Sequence, residues 1–319
     1  MKSLYICIFL LSTPLLAKEV YDLHWGINLE PLDFYIPAAG RFKKRVERRS
    51  NGKINVKLSI GHYKQSDRDH LKDVRDGVYD MGQETLNNLQ RYAPSLEVWD
   101  LPFLFQTNKQ VFAYTETSHA KKAYEYLKNQ GVVGIEYTYS GGFLHMYGNK
   151  INSFDDLRGK VVAHEDYSKA YKKFVNSTYN IIFKNYEGSG SSAKNSEIIA
   201  STLYELNDLS HLDQIYLNRT EHRLFARILF LSQKFLKKLP KNLRKIVLEE
   251  VKAAGIYERE MAVKAVEVYI KELQKKGIKL NVWSKKQKIK GRFGFKSMYD
   301  TFEKKFGVDT IKEIDKLPN

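Results

Sequence analysis

Only one cysteine, Cys7, occurs in the 319 residues, and it lies inside an apolar stretch at the N-terminus. Once that stretch is removed the chain carries no thiol, which excludes disulfides, metal–thiolate sites and a cysteine nucleophile. Proline is scarce, and no Pro-rich linker, internal repeat or second apolar run of membrane-spanning length is present. Neither His-Glu-x-x-His nor Gly-x-Ser-x-Gly occurs, and the eight histidines are scattered without metal spacing. Gly188-Ser189-Gly190-Ser191-Ser192 lacks the Gly-Lys-Ser/Thr ending of a phosphate loop. These absences predict a protein without catalysis, cofactor or metal.

What is present suits an exported globular chain. Met1-Lys2 gives a positive start, Leu4 to Leu16 is apolar, and Ala17 precedes the charged pair Lys18-Glu19. That pattern predicts a signal peptide over residues 1–17 and a periplasmic destination. The chain is 43% apolar and 13% aromatic, enough for a sizeable core. The net charge is +16, with lysine dense between Lys234 and Lys296. Such charge favours anionic partners. An exported protein rarely meets nucleic acid, so none is expected, and solvated helix faces account for much of the excess.

The periodicity alternates between strand and helix. Leu23, Trp25 and Ile27 recur at every second position, and so do Ile54, Val56, Leu58 and Ile60. Between them, Ile36, Ala39, Phe42 and Val46 mark one face of a helix that Ser50-Asn51-Gly52 ends. Ser66-Asp67-Arg68-Asp69 reads as the start of a second helix and Gly77 as its end, followed by a strand into Gln83-Glu84. Leu96 to Phe105 reads as an extended run, Asn108 to Asn129 as one helix, and Val132 to Tyr139 as a strand. A crossing point is expected near Ser140-Gly141-Gly142. Strands of a second sheet are expected at His145–Ile151 and Lys160–Ala163, and further strands at Ile181–Tyr186, Leu212–Leu217 and Phe225–Ser232. A capped turn is expected at Ser153, a helix over Tyr167–Val175, a loop over Glu187–Ser196, and one very long helix over Asn242–Lys276. The pattern is that of an α/β protein with helices covering its sheets, and two lobes suggest a crevice between them.

The order of motifs carries a resemblance. Arg49-Ser50-Asn51-Gly52-Lys53-Ile54-Asn55-Val56, Asp73 to Met81, and Leu101-Pro102-Phe103-Leu104-Phe105 resemble successive signatures of the TRAP-transporter periplasmic solute-binding proteins. Ser153 to Lys160, then Asp213-Gln214-Ile215-Tyr216-Leu217 with Thr220-Glu221-His222, are similar to later ones, and Gly307 to Pro318 also fits. The resemblance spans nearly the whole mature chain. It implies a two-lobed periplasmic binding protein fold braced by the long helix. Lobe I would comprise 18–141 with 226–265, and lobe II 142–225 with 266–319. It also implies a small, anionic organic solute trapped between the lobes and delivered to membrane permease subunits.

The family's frame places ligand groups at Asn28, Asp67, Glu84 and Thr85, although Asp67 would serve equally as a helix cap and Glu84 as a solvated acid. Elsewhere the sequence departs from the family. Its carboxylate-binding arginine, in "lkiRv", falls on Ala163, and the arginine of "GxR" falls on Leu144. The asparagine-bearing "DgqEn" stretch has no match in Asn195-Ser196-Glu197-Ile198-Ile199-Ala200. A guanidinium fork suits a carboxylate because it forms two parallel charged hydrogen bonds. Without it, the solute is expected not to be held in the family's usual way. His145 and His164 flank the two vacated positions, and they would bind an anion if protonated or accept hydrogen bonds if neutral. The alternative reading is a binding scaffold turned to a protein partner, such as a sensor domain, with an altered or absent small ligand.

Overall fold

The computed structural model describes residues 19–27, 34–60, 69–164, 167–185, 196–208 and 215–318. Asn28, Asp67, Ser66, residues 1–17 and most of the Glu187–Ser196 loop lie outside the described residues. The chain runs β1 (Tyr21–Ile27), α1 (Tyr35–Arg49), β2 (Ile54–Ile60), α2 (His70–Asp76), β3 (Met81–Thr85) and α3 (Leu86–Leu89). A 3-10 turn (Pro94–Asp100) leads to α4 (Asn108–Thr115), α5 (Ser118–Asn129), β4 (Val132–Phe143) and β5 (His145–Gly148). A second 3-10 turn (Phe154–Leu157) is followed by β6 (Val161–His164), α6 (Lys169–Tyr179), β7 (Ile182–Asn185), β8 (Ile198–Ser201), α7 (Leu203–Asp208) and β9 (Tyr216–Arg219). The chain then returns as β10 (Leu224–Ser232), α8 (Gln233–Lys238), α9 (Lys241–Lys275), β11 (Lys279–Val282), α10 (Lys285–Gly294), α11 (Lys296–Phe306) and α12 (Asp309–Lys316).

The strands form two sheets, one per lobe, in the orders β2-β1-β3-β10-β4 and β11-β9-β5-β8-β6-β7. In the first, β1 is parallel to β2 and β3, while β10 runs antiparallel between β3 and β4. The alternation in β1 buries Leu23, Trp25 and Ile27, and Trp25 meets Phe42 of α1 edge-on with centroids 5.3 Å apart. Two strands link the lobes. β4 passes directly into β5, and β9 into β10, and Leu144 N donates to Arg223 O (2.8 Å) where they cross.

α9 is the third link. Its 35 residues extend about 50 Å at 1.5 Å per residue. It lies on α1 and β4 in the first lobe, and Tyr269, Ile270 and Leu273 join the second lobe's core. Gly255 lets α9 approach β4, because a Cβ there would come 2.6 Å from Glu136 Cγ. Arg259 Nη1 donates to Glu136 (2.6 Å) and to Tyr137 O (2.7 Å), and Tyr139 N donates to Glu258 (2.7 Å).

Several local expectations are corrected. α2 is capped by Asp69, which accepts from Lys72 N, two residues beyond Asp67, while Gly77 ends it at φ +89° as expected. The 108–129 segment is two helices, because the Thr117 hydroxyl accepts from Ala120 N and starts a new one. The Leu96–Phe105 run is 3-10 turn and irregular backbone, not extended strand; it is apolar because it is buried between other elements. Strand β8, at Ile198–Ser201, was not anticipated. The capped turn at Ser153 is present as a reciprocal capping box with Asp156.

Candidate functional site

The strands β1, β2 and β3 are parallel, and β3 ends at Glu84-Thr85, on the carboxyl edge where open α/β sheets bind ligands. Glu84 and Thr85 are buried. The Glu84 carboxylate accepts from Thr85 N (2.8 Å) and Asn88 Nδ2 (3.0 Å), and the Thr85 hydroxyl accepts from Asn88 N (3.2 Å). Burial raises the Glu84 pKa against these hydrogen bonds and the charge of Arg227.

The other expected positions divide between the crossing strands and the second lobe. Leu144 and Ala163 are buried in apolar cores, with Ala163 opposite Ile199 of β8. His145 begins β5 and is influenced by Glu221, Arg219 and Lys288, where Glu221 pairs with Arg219 (2.8 Å) and with Lys288. His164 ends β6 and stacks on Tyr167 with centroids 4.7 Å apart. Neither ring nitrogen of His164, nor Nδ1 of His145, has a hydrogen-bond partner among the described residues. Burial first, then nearby cations, holds both histidines down to about 3. They are neutral in ordinary buffers, which favours hydrogen bonding over charge as their role. Glu84-Thr85 thus belongs to one sheet and Ala163-His164 to the other, with Leu144-His145 on the strand joining them.

Two residues overlooked in the sequence dominate the joint. Arg223, just before β10, donates to Asp100 Oδ1 and Asn87 Oδ1 (both 2.5 Å). Its guanidinium also lies over the rings of Tyr167 (5.4 Å) and Tyr171 (5.8 Å). The Tyr167 hydroxyl contacts His222 Nε2 at 2.6 Å, and the other His222 nitrogen contacts the Thr220 hydroxyl at 2.8 Å. This polar chain runs from the first lobe into the second.

Arg227, four residues on, sits opposite Thr85 on one side and Thr138 on the other. It is 3% exposed, lies 5.5 Å from the Phe225 ring, and makes no hydrogen bond or ion pair among the described residues. The same sheet face carries Gln83, fully buried, with both amide atoms unpartnered. The signal in the sequence was a lone arginine within the apolar run Leu224-Phe225-Ala226-Arg227-Ile228-Leu229-Phe230-Leu231.

A different concavity, of about 620 Å³, opens on the outer faces of α1 and α9 beside Arg41, Lys44, Arg48 and Tyr257. Those three cations are exposed and already solvated, so that groove makes no comparable demand for a ligand. No cluster of three or more His, Cys, Asp or Glu able to hold a metal occurs among the described residues. Nor is any helix among them long and apolar enough to cross a membrane.

Residues 26–168 and 207–305 match the model of the bacterial extracellular solute-binding proteins, family 7. The chain belongs to that family. A family relative, the C4-dicarboxylate-binding periplasmic protein DctP of Shewanella loihica, is 22% identical over 282 residues, covering 85% of this chain and 82% of its own. Among solved structures, a TRAP periplasmic solute-binding protein of Haemophilus influenzae with bound L-gulonate superposes with a TM-score of 0.80 at 23% identity, covering 93% of this chain and all of that one (100%). Another, from Sulfurospirillum deleyianum with bound succinate, gives a TM-score of 0.80 at 21% identity over 93% of this chain and 99% of that one. The family's two-lobed fold is therefore kept where the expected arginine positions hold Leu144 and Ala163.

Proposed function

We propose that this family 7 protein is the extracytoplasmic solute-capturing subunit of a TRAP-type transporter. It binds a small organic anion between its lobes, performs no chemistry on it, and delivers it to membrane permease subunits. Lobe I comprises residues 18–141 with 226–265, and lobe II 142–225 with 266–319. The signal peptide 1–17 directs the chain to the periplasm. The candidate cleft positions are Asn28, Asp67, Glu84, Thr85, Leu144, His145, Ala163 and His164.

One observation carries this reading. Buried polar atoms without a hydrogen-bond partner among the described residues occur at Gln83 and Arg227 of the first sheet and at His164 of the second. An unsatisfied buried polar group costs about 1–3 kcal/mol, a cost that a captured solute would offset. The organic anions held by the solved relatives support the same class. Native mass spectrometry of freshly purified protein, followed by a thermal-shift screen of organic acids, amino acids, sugars and phosphates, tests it. A retained or stabilising small molecule is the expected result.

The apolar burial of Leu144 and Ala163 favours a second reading, a scaffold that engages a protein partner. Silence across the screen, together with specific retention of a membrane protein on an affinity column, would select it.

A further inference from the structure

The lysine-rich segment of the sequence takes no part in the candidate solute site. Between Glu272 and Asp300 every charged residue is a lysine or an arginine. α10 lies within that stretch and is a surface helix with no buried residue. Its inner side rests on the joint between the lobes: a Cβ at Gly291 would come 2.6 Å from the Phe103 ring, and Gly294 meets the Tyr179 hydroxyl. That seating turns Lys286 and, three, four and seven residues on, Ile289, Lys290 and Phe293 outward together.

This outer face combines bare apolar side chains with free positive charge. Phe293 is 74% exposed, Ile289 44%, and Val282 just before the helix 55%. Phe293 is the most exposed large apolar side chain among the described residues. The acids near the helix are already engaged: Glu221 pairs with Lys288, Asp315 with Arg292 (2.8 Å) and Asp300 with Lys296 (2.6 Å). Lys285, Lys286 and Lys290 are exposed and belong to no ion pair among the described residues. The basic face of α1 differs, because α1 carries no exposed large apolar side chain.

A partner for α10 must offer negative charge and an apolar interior at once. The headgroup layer of an anionic bilayer does so, and being fluid it needs no shaped pocket for an isolated phenylalanine. A protein partner fits less well, since lysine is depleted in protein–protein interfaces, whereas here lysines sit directly among the apolar side chains. We propose that α10 docks this protein on an anionic phospholipid surface, with Phe293 and Ile289 inserted into the headgroup layer and Lys285, Lys286 and Lys290 on the phosphates. The helix lies on the bilayer and does not span it. This docking goes beyond solute capture, uses none of the candidate cleft residues, and keeps the protein at a membrane whatever the solute.

The test is flotation of the mature chain, without solute, on vesicles of phosphatidylcholine alone or mixed equally with phosphatidylglycerol. The protein should float with the mixed vesicles only and be released at about 0.5 M salt, where exposed charges are screened. Lys285→Gln, Lys286→Gln and Lys290→Gln together should weaken binding about 100-fold, roughly fivefold for each lysine. Ile289→Ser with Phe293→Ser should weaken it about tenfold without lowering the melting temperature, since both side chains are already exposed. Phe293→Trp should shift its fluorescence to the blue with mixed vesicles and not with neutral ones. Arg41→Gln, Lys44→Gln and Arg48→Gln together remove the same charge from α1 and should leave binding nearly unchanged.

Failure of the wild type to float with the mixed vesicles would overturn the proposal. An equal loss from the α1 variant would assign binding to net charge and remove α10 from it. Flotation of Phe293→Trp without a blue shift would show that the residue does not insert and would end the proposal. Retention on an acidic membrane protein without any binding to vesicles would assign the face to a protein partner instead.

Discussion

Arg223 and Asp100 form an ion pair 2.5 Å long in which both side chains are almost wholly withdrawn from solvent. Asp100 closes the 3-10 turn of the first lobe, and Arg223 precedes the strand returning from the second. Asn87 and two tyrosine rings complete the surroundings of the guanidinium. The pair therefore fixes the returning strand to the first lobe at the point where the lobes meet.

Breaking this pair from one side should be costly. Asp100→Ala leaves the Arg223 charge buried, for which about 3–5 kcal/mol of lost stability is expected. Arg223→Met in the same chain should restore part of that loss, since no uncompensated charge then remains. Urea unfolding of the two single variants and the double variant measures the coupling. Independent, additive effects would count against a buried pair.

Acid should weaken the fold through its buried histidines. An unfolded histidine titrates near 6.5, whereas His145 and His164 are held down to about 3 by burial. Burial also holds His222 well below its ordinary value. Between about pH 6.5 and 3 the unfolded chain takes up protons that the folded chain refuses. The stabilisation is fully present above that window and lost as pH falls through it, by about 1.4 kcal/mol per pH unit for each histidine. Unfolding midpoints measured from pH 7 to pH 4 should decline. His164→Gln should decline less steeply; an equal slope would place His164 outside the effect.

Much of this fold was legible because burial follows periodicity. Leu23, Trp25 and Ile27 alternate because one face of β1 is covered by α1, and the α9 stripe is long because the helix crosses both lobes. Legibility failed where a single side chain outranks the pattern. The apolar stripe runs on through residues 108–129, but the Thr117 hydroxyl breaks it locally. β8 is four residues long and directly follows the Ser- and Gly-rich stretch read as a loop, so no polar–apolar alternation sets it apart. At the site, motif spacing assigned the family's arginine positions to Leu144 and Ala163, and that assignment is part of the proposal above. The groups that draw the eye in three dimensions, Arg223 and Arg227, were not legible, because their importance lies in what each meets across a lobe boundary or a sheet face.

The approach of α9 to β4 depends on Gly255. Alanine there would put a Cβ 2.6 Å from Glu136 Cγ, and Glu136 is held in place by Arg259. The helix would have to lift or the ion pair shift. A loss of about 1–3 kcal/mol is expected for Gly255→Ala and more for Gly255→Leu, despite the better helix propensity of both. Thermal unfolding checks the sign: a stabilised Gly255→Ala would show that α9 does not sit this close.

Phe103 joins the lobes by packing rather than charge. It is 1% exposed, stacks on Trp283 with centroids 5.9 Å apart, and meets Phe154 edge-on, both beside the second sheet. Its backbone N donates to His222 O (2.9 Å), and its φ of +60° lies in the left-handed region. Truncation to alanine should cost about 3–5 kcal/mol through the cavity left behind. The backbone adds a second signature. Alanine at positive φ retains a strain of roughly 1–2 kcal/mol that glycine escapes. Phe103→Gly should therefore be no less stable than Phe103→Ala, the reverse of their order in a helix. Unfolding free energies of the two variants decide it. An alanine variant clearly more stable than the glycine variant would mean that the left-handed backbone is not imposed by the contact with His222.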